Sequence, residues 1–151
     1  MTPPFPLLVF NPSHDEALAA GYPYYYPSTV ARRLAQRWAA LPALWHDGPA
    51  WVWLPDGTEQ PDAAPWCSHV QFVRTRQLTP RFWQTQVQRI DCWGWDLLLR
   101  QQLLKAGAPV SLLPDDAALS HISRLSSRES TARLLPRLQA DARLASLPMV
   151  G

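Results

Sequence analysis

The sequence predicts an α/β fold: a three-layer, Rossmann-like domain with a short, mainly parallel sheet flanked by helices. Three observations carry this expectation. Short, continuous apolar runs stop abruptly at turn residues, as strands buried on both faces do. Segments of helical spacing alternate with those runs, which is the pattern of βαβ units. And 151 residues, of which 47% are apolar and 17% charged, match one folded domain over 1–151 and not a disordered chain.

The elements follow in order. Leu7-Leu8-Val9-Phe10 is the first strand, ended by Asn11-Pro12. A polar and aromatic loop is expected over 13–27, holding His14-Asp15-Glu16 and Tyr24-Tyr25-Tyr26. Ser28 then caps a helix to about residue 40, whose stripe of Val30, Leu34, Trp38 and Leu41 is the expected buried face. Trp51-Val52-Trp53-Leu54 is the second strand, stopped by Pro55-Asp56-Gly57, and a loop rich in Pro, Asp and Ala follows.

His69-Val70-Gln71-Phe72-Val73 reads as a third strand near an edge. The stretch 78–90 holds one short helical turn and a strand over 86–90. A helix over 96–106 has Trp95, Leu99, Leu103 and Ala106 on one face, and Gly107 with Pro109 closes it. Val110-Ser111-Leu112-Leu113 reads as another strand. Asp115 or Asp116 caps a helix carrying Leu119, Ile122 and Leu125. Ser126 and Glu129 have capping-box spacing before a Leu-rich helix that Pro136 interrupts and that ends near Leu147-Pro148.

Charge and cysteine content exclude several classes. Net charge is +2, from thirteen arginines and the single Lys105 balanced by twelve acids, which is no nucleic-acid footprint. No apolar run approaches the ~20 residues of a membrane helix. The N-terminus has neither a basic region nor an unbroken apolar one, so a cytoplasmic location is expected. Cys67 and Cys92 form no CxxC pair, which argues against structural zinc and redox chemistry. There is no GxSxG elbow, no dinucleotide fingerprint and no P-loop.

In α/β sheets ligands bind beyond the carboxyl ends of the strands. Two clusters fall there: Asn11 to Glu16, and Asp91-Cys92-Trp93-Gly94-Trp95-Asp96. In the first, Asn11 and Ser13 would orient a ligand, His14 would donate or shuttle a proton, and Asp15 would fix its tautomer. The competing reading makes Asn11 and Asp15 turn and cap residues beside an exposed His14. In the second, Trp93 and Gly94 would let a ligand approach the backbone, and the helix start at Asp96 would attract an anion. A carboxylate or phosphate would then lie between charged His14 and that helix, with Asp96 favouring ligands that also carry an amine or hydroxyl. The pairs His14-Asp15 and His46-Asp47 suggest a metal hydrolase, but they sit after a strand and in a turn rather than on helices.

The C-terminal third, Leu113-Pro114-Asp115-Asp116-Ala117-Ala118-Leu119 followed by Leu125-Ser126-Ser127-Arg128-Glu129 and the Leu-rich helix, resembles the stretch closing the N-terminal domain of ATP-grasp ligases. The strand-loop-helix layout at the N-terminus is also similar, and His14-Asp15 and Trp93-Gly94-Trp95-Asp96 resemble motifs of longer bacterial proteins of this kind. The resemblance implies the substrate-side domain of an ATP-dependent carboxylate ligase, taking a small-molecule acid. ATP and Mg2+ would serve the parent protein, and none is expected on this chain alone. Arg128 stands where the family has a phosphate-contacting lysine, and arginine binds phosphate bidentately. The grasp domain itself has no counterpart in these residues, so the resemblance implies a domain that is not catalytically complete alone. The alternative from another class is a binding or oligomerisation module whose aromatic loops form the contact surface.

Overall fold

The computed structural model describes residues 3–21, 24–62 and 64–140. Its sheet contains β1 (Phe5–Val9), β2 (Ala50–Leu54), β3 (Val70–Arg74) and β4 (Val87–Cys92). All are parallel, in the spatial order β3-β2-β1-β4. The helices are α1 (Ser13–Ala20), α2 (Thr29–Arg37), α3 (Pro80–Gln86), α4 (Leu97–Lys105), α5 (Asp116–Ser126) and α6 (Arg128–Ala140). This is the expected three-layer α/β arrangement.

The two sheet faces have separate cores. On one, Leu7, Val9, Trp53, Val73, Val87 and Ile90 pack with Trp83 of α3 and with Leu99 and Leu103 of α4. On the other, Leu8, Val52, Leu54 and Val70 meet Ala39, Ala43 and Cys67. The alternation along β1 sends Leu7 and Val9 one way and Leu8 the other, which is the period-2 geometry of a strand buried on both sides. Trp83 secures the first core with its indole N–H, which donates to the Ala106 carbonyl at 2.9 Å.

Four expectations need correction. The stretch 13–20 is helix, not loop. It has no side-chain N-cap, but Asp15 and Glu16 lie in its first turn, where the helix dipole favours acids, and Gly21 closes it at φ 68°. Second, the stripe of α2 faces outward: Leu34 is 43% and Trp38 48% exposed, and Ala31 is the buried residue. The sheet face on that side is already covered by small residues at 39, 43 and 67, so the helix body stands off it. Ser28 does cap it, its Oγ accepting from the Ala31 N–H at 3.1 Å.

Third, 110–112 forms a 3-10 turn rather than a strand. Pro109 offers no N–H, and the Leu112 and Leu113 amides bond back to Pro109 and Val110 at 3.0 Å instead of to a neighbouring strand. Fourth, Ser127 and not Ser126 caps α6: its Oγ accepts from the Ser130 N–H at 3.1 Å, while Glu129 pairs with Arg133 one turn along. Pro136 lies inside α6 without ending it, and the expected end near Leu147-Pro148 is outside the described residues. No helix among the described residues is long and apolar enough to cross a membrane.

Candidate functional site

The order β3-β2-β1-β4 places the switch in chain direction between β1 and β4. The carboxyl side of such a point is where open α/β sheets bind ligands. Pairing runs to the very end: Val9 aligns with Cys92, and the Trp93 N–H donates to the Val9 carbonyl at 3.1 Å. The segments following the two strands are therefore held side by side.

Asn11 ties them together. Its Nδ2 donates to the Gly94 carbonyl at 2.9 Å and to Asp96 Oδ2 at 3.0 Å, while its Oδ1 accepts from Ser13 Oγ at 2.6 Å. Asp96 Oδ1 in turn accepts from the Leu99 N–H at 2.8 Å and caps α4. One carboxylate thus serves both as helix cap and as partner of Asn11. The start of α4, expected to attract an anion, already carries the protein's own carboxylate.

His14 enters from the first turn of α1 and is only 6% exposed. A Cβ built on Gly94 would lie 2.3 Å from its Cδ2 and Cγ, so the imidazole occupies the space that a side chain at 94 would take. Nδ1 of His14 is buried without a hydrogen-bond partner. The ring borders a cavity of about 540 Å³ whose other walls are Ala17 and Leu18 of α1, Tyr24, Tyr25, Trp95, Asp96 and the start of α4, and Leu119, Ser120 and Ser123 of α5.

Tyr25 is positioned by a device the sequence reading passed over. Its hydroxyl donates to Glu16 Oε2, and Ser28 Oγ donates to Glu16 Oε1 at 3.2 Å. The Tyr25 bond holds the Glu16 carboxyl below its ordinary range, aided by the two Ser28 contacts, and the same bond raises the Tyr25 phenol. Glu16 thus pins the aromatic loop to α1 and α2. The signal was present in Ser-His-Asp-Glu-Ala-Leu-Ala-Ala-Gly, whose acids and closing glycine spell a helix bringing Glu16 one turn back toward the loop.

The other sequence candidates fall differently. Asp15 is exposed on α1 and does not border the cavity. Trp93 lies outside it, 53% exposed, edge-on to Phe10 at 6.1 Å and tilted against Trp45 at 5.6 Å. Arg128 is exposed at the start of α6 and is absent from the cavity wall. Burial pushes the Cys92 thiol up to about 12, and the Asp96 carboxylate adds to the shift, which disfavours the thiolate a nucleophile needs. Among the described residues no three His, Cys, Asp or Glu side chains converge as metal ligands. No protein-family model, curated protein or solved structure matches the chain.

Proposed function

We propose that this domain binds a small amino or hydroxy acid over the carboxyl ends of β1 and β4, as the substrate-side domain of an ATP-dependent carboxylate ligase-like protein. In this reading nucleotide and Mg2+ belong to the remainder of the parent protein, and the domain alone completes no reaction. The observation that supports it is the cavity between α1, α4 and α5, beside the segments that follow β1 and β4, with nine-tenths-buried His14 among its lining residues and Nδ1 of that ring unpartnered. Core histidines that serve packing alone generally satisfy their ring nitrogens, because an unpaired buried polar atom costs about 1–3 kcal/mol.

The test is an NMR titration with small amino acids, hydroxy acids and nucleotides. The expected result is weak binding, around millimolar because nothing closes over the ligand, with shifts on residues 11–18 and 94–98 that His14→Ala abolishes. Shifts confined to Arg128 and its neighbours, or none at all, would refute it.

One observation favours a second reading, a binding or oligomerisation module. Trp45 and Trp93 make a half-exposed aromatic pair, and Val30, Leu34 and Trp38 form an outward apolar stripe on α2. Exposed apolar surface of that kind marks contact sites. Sedimentation that gives a dimer which Trp93→Ser or Leu34→Ser dissolves, with no ligand response in the cavity, would replace the first reading by this one.

A further inference from the structure

We propose that the cavity recognises the amino group of its ligand, and so takes amino acids or other primary amines and not hydroxy acids or simple carboxylates. This rests on the reading of the cavity as a small-molecule site. The argument is from the charge of the wall. Among the described residues no arginine or lysine lines it, whereas Asp96 and Asp116 do. Asp116 is paired with Arg100, but Asp96 is bonded only to neutral donors, the Asn11 amide and the Leu99 N–H. Its negative charge is solvated without being neutralised.

Carboxylate oxygens hold about four lone-pair sites between them, so Asp96 keeps acceptor capacity after these two bonds. Two further features fit an ammonium group and disfavour a carboxylate. The helix start that would hold an anion is occupied by Asp96 itself, and the N-cap of α5 is likewise an aspartate, Asp115, accepting from the Ala118 N–H at 2.7 Å. The starts of α4 and α5 are thus answered from within the chain, and the first turn of α1 carries Asp15 and Glu16. Tyr24, Tyr25 and Trp95 add aromatic rings, whose faces attract cations and whose area suits an apolar ligand body. The buried thiol of Cys92, already raised in part by Asp96, registers the same field.

The experiment compares four probes of similar size on the whole chain by NMR titration: phenylalanine, phenethylamine, phenyllactate and 3-phenylpropionate. Phenylalanine and phenethylamine should bind at least tenfold more tightly than phenyllactate and 3-phenylpropionate, with shifts at 14–18, 95–98 and 119–123. Asp96→Asn retains a helix-capping oxygen and should weaken the amines about fivefold or more while leaving 3-phenylpropionate unchanged or improved. Asp116→Asn, at an exposed side chain, should weaken them less. If phenyllactate binds as tightly as phenylalanine, the amine preference is wrong and the small-molecule reading stands. If none of the four shifts any cavity residue, both fail. Should Asp96→Asn prove unfolded by circular dichroism, the ranking of the four probes on the unaltered chain decides alone.

Discussion

Asn11 and Asp96 are 85 positions apart, yet the amide of one donates to the carboxylate of the other at 3.0 Å across the carboxyl ends of β1 and β4. The same amide also holds the Gly94 carbonyl. Two loops from different strands are thereby fixed at the point where the sheet would otherwise gape. Because Asp96 caps α4 with its other oxygen, the orientation of that helix is tied to the end of β1.

Asn11→Ala should therefore cost about 2–3 kcal/mol, since it strands a partly buried carboxylate oxygen and a carbonyl. Asn11→Asp should cost at least as much at neutral pH by placing two carboxylates in contact, and should recover on acidification as one of them protonates. Urea denaturation at pH 7 and at pH 4.5 measures both. Equal stability of Asn11→Asp and the parent at pH 7 would show that the bridge does not form.

Gly94→Ala should destabilise by about 1–3 kcal/mol, the cost of overpacking, because the added methyl falls 2.3 Å from the His14 ring. Backbone conformation is not the cause, as the positive-φ glycines are Gly21, Gly57 and Gly107. Shrinking the ring should relieve the clash, so the double variant Gly94→Ala with His14→Ala should be less destabilised than the sum of the singles. A double-mutant cycle with no coupling would separate the two residues.

Leu34→Ala and Trp38→Ala should each cost below about 1 kcal/mol, because both side chains are half exposed. Leu103→Ala, at a fully buried position in the core, should cost about 2–5 kcal/mol. Chemical denaturation midpoints rank them. A large loss at Leu34 would mean that α2 buries its apolar stripe after all.

Tyr25 should titrate above the ordinary phenol value of 10.0, and Glu16 below its ordinary 4.5, because each holds the other. The signs then give two edges. The Glu16 contribution is present above 4.5 and fades as pH falls through its lowered value; the Tyr25 contribution is present below 10.0 and fades as pH rises through its raised value. Both groups are only half-buried, so the effect on global stability is small. Ultraviolet titration of the tyrosines should lose its highest component in Glu16→Gln. An unchanged curve would mean that the loop is not latched.

β1 and β2 were legible as continuous apolar runs and β3 by its alternation, while β4 was legible only in part, Val-Gln-Arg-Ile-Asp-Cys being half polar. The caps Ser28 and Asp115 were legible because a short polar side chain before a helical stretch has few other uses, whereas Asp96 reads as the first residue of its helix and only the structure makes it the cap. The clusters 11–16 and 91–96 were legible as neighbours of a site because strand ends are where such sheets bind. The sequence could not say which members face inward. His14 and Asp15 are adjacent, yet helical twist buries one against Gly94 and leaves the other in solvent, and a segment read as loop conceals that division. The stripe on α2 misled for a related reason: periodicity reports that a helix has two faces, while the sheet decides whether any surface remains for the apolar one to cover. Alanines and a cysteine from 39, 43 and 67 took that surface first. Local chemistry is written along the chain, but the cavity between α1, α4 and α5 exists only because parallel strands bring the residues after β1 and β4 together.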